Sequence, residues 1–169
     1  PVYSQFFGIA EKTKILPLND DFEIEVNDYK QPNGGIIITN PNAPTSIALG
    51  LSAIEEVLQA NPDSVVLIDE AYVDFGAESA VSLVEKYDNL VVCQTMSKSR
   101  SLAGLRVGFA IAQPHLIAAL EAVKNSFNSY PIDRFAIAAA VASFEDQAYF
   151  EAQNKKVIES RDKLTVQLT

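Results

Sequence analysis

Short runs of β-branched and aliphatic residues alternate along the chain with longer stretches in which apolar residues recur every three or four positions. Such alternation predicts an α/β domain with a mainly parallel sheet flanked by helices. Val2 to Glu11 reads as a short helix, and Thr13 to Leu18 as a strand ended by the polar turn Asn19-Asp20-Asp21. Gly34-Gly35 then launches a strand from Ile36 to Thr39. After a Pro-rich loop from Asn40 to Thr45, Ile47, Leu51, Ile54, Val57 and Leu58 share helical spacing, and Asn61-Pro62 ends that helix. Four consecutive aliphatics, Val65 to Ile68, suit a strand covered on both faces, and this one ends on Asp69. Further strands are read at Leu90 to Thr95 and Arg106 to Ala112, separated by a polar turn from Ser97 to Ser101. Pro114 opens a helix whose Leu116, Ile117, Leu120 and Val123 lie on one face. An alanine-rich helix from Asp133 to Phe144, expected to pack closely on a neighbour, and a last helix from Gln147 complete the pattern.

No repeat, low-complexity tract or linker interrupts this order, and 169 residues with 48% hydrophobic content suffice for one domain, residues 1–169. The chain opens on Pro1, and its last helical pattern, Lys155 to Thr169, carries no Gly or Pro exit signal. It therefore reads as a piece of a longer protein.

Charge narrows the partners. With 22 acidic against 13 basic residues, net −9, the chain lacks the basic surface that binding a phosphate backbone requires, so nucleic acid is not an expected partner. A membrane is not expected either, because no apolar run approaches the roughly 20 residues needed to span one. One cysteine, Cys93, allows no internal disulfide, and with the single His115 it leaves no metal-ligating set. A soluble protein of a reducing, cytoplasmic setting is expected.

Ligands of open parallel sheets gather beyond the carboxyl ends of the strands. Three polar clusters fall there: Asn40 to Thr45, Asp69 to Tyr72, and Thr95 to Lys98. An aspartate ending an aliphatic strand sits at the rim of the core, where its charge calls for a partner or a ligand. Lys98 stands in a Ser-Lys-Ser turn directly after a buried strand, and a partly buried amine is more readily neutral and nucleophilic. Arg106, with the hydroxyls of Thr95 and Ser97, has the chemistry to hold a phosphate dianion. Taken singly, each has an ordinary reading. Asp69 alone is more often a capping carboxylate, Lys98 a surface lysine, Tyr72 a packing residue, Gly104 and Gly108 points of close backbone approach, Cys93 inert core and His115 a solvated first-turn residue.

In order and spacing, Asn40-Pro-Asn-Ala-Pro-Thr45, Asp69-Glu-Ala-Tyr72, Thr95-Met-Ser-Lys98 and Gly104-Leu-Arg106-Val-Gly108 resemble the motif set of the class I/II aminotransferases, enzymes of fold type I that use pyridoxal 5'-phosphate. The resemblance covers essentially the whole chain, including Tyr130-Pro131, and is greatest toward the histidinol-phosphate aminotransferases. It implies the cofactor-binding large domain of such an enzyme, truncated, without the N-terminal segment that carries a Gly-rich phosphate loop and without the C-terminal small domain. Such a fragment is expected to be inactive by itself. By position, Lys98 would bond the cofactor aldehyde and shuttle a proton, Asp69 would pair with the pyridine nitrogen, and Tyr72 would donate to the ring hydroxyl oxygen. Thr95, Ser97 and Arg106 would bind the phosphate, and Tyr3 would stack on the ring. The family pattern has Asn where this chain has Ala43, so Asn42 or Asn40 is expected to replace it, and Ser46 stands where Gly is usual.

The implied function is transfer of an amino group between a small-molecule amino donor, histidinol phosphate, and a 2-oxo acid, 2-oxoglutarate, in histidine biosynthesis, by a homodimer. An aromatic aminotransferase, an amino-acid phosphate decarboxylase, and a cofactor-sensing domain of a transcription regulator stay open as alternatives. A dinucleotide binder would show a Gly-x-Gly-x-x-Gly turn after the first strand, and none is present.

Overall fold

The computed structural model of the chain describes residues 2–168, and of Tyr3 the backbone alone. Its centre is a four-stranded sheet in the order β1 (Ile36–Thr39), β2 (Val66–Asp69), β3 (Leu90–Thr95), β4 (Gly108–Ala112). The first three strands run parallel, with Ile36 opposite Val66 and Val66 opposite Leu90; β4 returns antiparallel, with Thr95 opposite Gly108 and Val91 opposite Ala112. The sheet is thus mixed. The connection that makes the reversal, turns and one 3₁₀ segment, Ala103–Leu105, is shorter than the one that joins the parallel strands β2 and β3. Arg106, at φ 56°, ends that segment in a left-handed turn, so β4 starts two residues later than the sequence pattern suggests.

Alternate residues of the strands divide the sheet into two faces. One carries Ile36, Ile38, Val66, Ile68, Leu90 and Val92, all buried with Ile54, Val57 and Leu58 of the helix α1 (Leu51–Ala60) in the main core. On the other face Ile37 and Thr39 of β1 are exposed, and Leu67, Asp69 and Cys93 are half-buried.

The helices α2 (Pro114–Phe127), α3 (Arg134–Glu145) and α4 (Gln147–Leu168) follow β4. Asp133 caps α3, its Oδ1 accepting from the backbone N–H groups of Phe135 (2.8 Å) and Ala136 (2.9 Å). The packing expected of this alanine-rich helix is confined to one strip. Ala136 is buried and Ala140 half-buried against a second cluster with Met96 and Val107, while Phe135, Ile137 and Val141 are exposed.

Two N-terminal expectations change. The first helix stops at Phe6, where Gly8 at φ 67° ends it with bonds from Gly8 N to Gln5 O (3.1 Å) and from Ile9 N to Ser4 O (2.8 Å). That is the geometry of a Schellman stop. The residues from Thr13 to Leu18 form no strand. Pro17 lacks the N–H a ladder needs, and among the described residues no strand lies against this segment.

Candidate active site

The three polar clusters meet in the structure because parallel strands end on the same side. Thr39 pairs with Asp69 and Asp69 with Cys93, and the ladder continues through Asn40 N to Asp69 O and Glu70 N to Cys93 O, each 2.8 Å. Thr95 lies two residues beyond Cys93 and so on the same open face as Asp69. Asp69 is half-buried, with Oδ1 accepting from Ala71 N at 3.0 Å, which leaves Oδ2 for a ligand. Neighbouring Cys93 is half-buried on the open face and not in the core, and its thiol is pushed up, first by burial and then by the Asp69 charge, which disfavours the reactive thiolate.

Thr95 and Ser97 meet where β3 gives way to the turn. Thr95 Oγ1 accepts from Ser97 N (3.1 Å) and its hydroxyl reaches Ser97 Oγ (3.0 Å) and Val107 O (3.3 Å). Arg106 is exposed, tied by Nη1 to Ala103 O at 2.9 Å. Gly108 fits here for a steric reason, since a Cβ would meet Gln94 O at 3.1 Å; at Gly104 a Cβ would meet nothing. The close backbone approach expected of both glycines therefore holds at Gly108 alone.

Lys98 is exposed, not half-buried as its place after a buried strand suggested, because the turn carries it clear of the sheet end. Its Nζ lies 5.3 Å from the centre of the Tyr72 ring, which is itself partly exposed at 37%. Tyr72 owes its position to the residue before Ala71. Glu70 is buried, with Oε2 accepting from Ser79 Oγ (2.6 Å) and Gln94 Nε2 (2.8 Å) and Oε1 accepting from Ala80 N (2.6 Å). A buried carboxylate with every bond met fixes the segment on both sides of Tyr72.

The loop after β1 is closed by Asn40, whose fully buried carboxamide donates to Leu49 O (3.1 Å) and accepts from Leu49 N (2.7 Å). Asn40 is therefore committed to the loop. Asn42, half-buried, accepts from Thr39 Oγ1 (3.0 Å) and donates to Thr45 Oγ1 (2.9 Å), beside the strand end that bears Asp69. Ser46, in the usual glycine position, sits at φ 62°, the left-handed backbone that explains why glycine is the ordinary choice. The side chain of Tyr3 lies outside the described residues.

Sequence reasoning missed Glu70, Ser99, Asp74 and Arg100, whose side chains hold the loops in place. Arg100 is sandwiched between Phe144 and Phe150. Only Arg100 left a signal, a second cation two residues after Lys98 in a turn. Burial lowers its pKa, against the opposing influence of Asp74. Among the described residues no cluster of His, Cys, Asp and Glu suits a metal ion, and no helix is long and apolar enough to cross a membrane.

A family model described as aminotransferase class I and II matches residues 4–169. The chain is 82% identical over its full length to a histidinol-phosphate aminotransferase of Acinetobacter baumannii (strain AYE), of which it covers 46%. It is 62% identical to the histidinol-phosphate aminotransferase of Pseudomonas putida (strain W619), covering 48% of that protein. The chain thus spans about half the length of these relatives. In structure it is similar to the histidinol-phosphate aminotransferase of Clostridium acetobutylicum, with a TM-score of 0.85 and 25% identity over 98% of this chain and 53% of that one.

Proposed function

Because the chain belongs to the aminotransferase class I and II family, we propose that it is the cofactor-binding part of a histidinol-phosphate transaminase. The full-length protein then moves the amino group between histidinol phosphate and 2-oxoglutarate in histidine biosynthesis, as a cytoplasmic homodimer. The observation that supports this reading is that β2 and β3 end on the same side of the sheet, Asp69 beside Cys93 and the Thr95–Ser97 hydroxyl pair one turn on, with Lys98 Nζ 5.3 Å from the Tyr72 ring.

That donor set fits pyridoxal 5'-phosphate. A half-buried carboxylate suits a protonated ring nitrogen, paired hydroxyls and a guanidinium suit a phosphate, and an exposed amine suits an aldehyde. When bound, the cofactor supplies a conjugated ring that accepts the electron pair left at the α-carbon of the donor. Asp69 Oδ2 would face the ring nitrogen and favour its protonated form. Lys98 Nζ would be the amine for the aldehyde and the base for the α-carbon proton. Tyr72 would donate its phenolic hydrogen to the ring oxygen; Thr95, Ser97 and Arg106 would hold the phosphate, and Tyr3 would supply the aromatic face. Ala43 offers no side-chain hydrogen bond, and Asn42 Nδ2, with one N–H beyond its bond to Thr45, would take that contact.

Borohydride reduction of the full-length protein with pyridoxal phosphate, followed by peptide mass spectrometry, tests this. The label is expected on Lys98 alone and absent from Lys98→Ala. Scattered labelling that survives Lys98→Ala sinks the assignment. Incubation with histidinol phosphate and 2-oxoglutarate is expected to yield glutamate; release of carbon dioxide from an amino-acid phosphate instead would favour a decarboxylase.

A further inference from the structure

Lys98 is an exposed lysine in a turn, and the two residues that follow it are each anchored by a side chain. The loop is first closed on itself by Leu102 N to Met96 O (2.9 Å) and Ser101 N to Lys98 O (3.0 Å). Ser99, the next residue, is nearly buried and donates to Asp74, two positions beyond Tyr72. Arg100 then reaches the residues that join α3 to α4. Its guanidinium carbon lies 4.2 Å from the centre of the Phe144 ring and 3.8 Å from that of Phe150, and Nη1 donates to Ser143 O at 2.6 Å. Phe144 and Ser143 belong to the last turn of α3 and Phe150 to the first of α4, so the cation occupies the elbow between them. It also faces the negative end of the α3 dipole.

We propose that Arg100 is a positioning residue for Lys98, which rests on the reading of Lys98 as the cofactor lysine. It fixes the loop backbone against the α3–α4 elbow, so that Nζ points toward Tyr72 while the exposed stem stays free to swing. A planar guanidinium meets all three contacts at once, stacking between two rings while donating in its own plane, whereas a compact ammonium has no plane to stack and cannot span them together. Arg100→Lys keeps the charge and removes the fork. Any change it makes at Lys98 is therefore one of position.

The test uses the full-length protein loaded with pyridoxal phosphate and follows the pH midpoint of its visible absorbance band, kcat and KM separately, and the melting temperature. Arg161→Lys is the control, because Arg161 ties α4 to Phe75 O (2.8 Å) without touching the Lys98 loop. Arg100→Lys is expected to move the band midpoint and to lower kcat about tenfold with KM little changed, while Arg161→Lys leaves the midpoint in place. If Arg100→Lys only lowers the melting temperature, with band and kcat as in the wild type, the proposal is overturned and Arg100 is a brace for the elbow. If the wild-type protein shows no band that Lys98→Ala abolishes, the cofactor reading falls and takes this one with it. Should Arg100→Lys not fold, Phe150→Leu removes one of the two stacking plates and is read in the same way.

Discussion

The two faces of the sheet differ in what they ask of their residues. On the covered face, Ile36, Ile38, Val66, Ile68, Leu90 and Val92 are buried aliphatics packed with α1. On the open face the same strands present Ile37, Thr39, Leu67, Asp69, Val91, Cys93 and Thr95, and the four at the carboxyl ends, Thr39, Asp69, Cys93 and Thr95, carry a hydroxyl, a thiol or a carboxylate. One backbone thus does packing with one parity of residues and chemistry with the other. The covered face sets stability, and under the proposed function the open face sets binding.

The largest effect expected from this contrast is on folding. Ile68→Ala should destabilise the chain by about 2–5 kcal/mol in urea unfolding, while Ile37→Ala, one strand over and 74% exposed, should change it by less than about 0.5 kcal/mol. Comparable losses at the two sites would break the comparison. Next come the adjacent acids of the Asp69-Glu70 pair. Glu70→Gln turns a donor toward the donors around it and should destabilise by about 1–3 kcal/mol. Asp69→Asn should leave the melting curve nearly in place and show its effect as faster loss of pyridoxal phosphate from the full-length protein.

A smaller effect is expected at Cys93. Since the Asp69 charge adds to burial in raising the thiol, Asp69→Asn should speed its alkylation by iodoacetamide, and an unchanged rate would separate the two residues. Smallest is a pH effect on the outer side of α1. Glu55 is held low by its hydrogen bonds from Lys86 and Tyr87, so the folded carboxyl titrates below its unfolded value. Its contribution is present above the unfolded carboxylate range and lost as pH falls through the folded pKa. Glu55→Gln should flatten that acid limb of the stability curve, and an unaltered limb would count against it.

The sequence made the covered face legible because aliphatic runs state burial directly, and the helix between the first two runs pointed to their parallel order. The antiparallel return of β4 was not legible, because Arg106 to Ala112 has the same apolar run in either direction. For the site, Asp69, Lys98 and Arg106 stood out as charges at strand ends. The residues that hold them did not. Glu70, Asp74 and Ser99 act across loops 9 to 25 residues apart, and their partners are fixed by the fold, so no local pattern marks them.

The Asn40 clamp bears on how this molecule can diverge. A loop fastened at its base by Asn40 and Leu49 does not depend on its tip for its shape. The two departures from the family pattern, Ala43 and Ser46, both fall in the span this pair closes. Substitutions there should leave the fastening pair in place, with position 46 confined to residues that tolerate its left-handed backbone, as a tool keeps its socket and changes its bit.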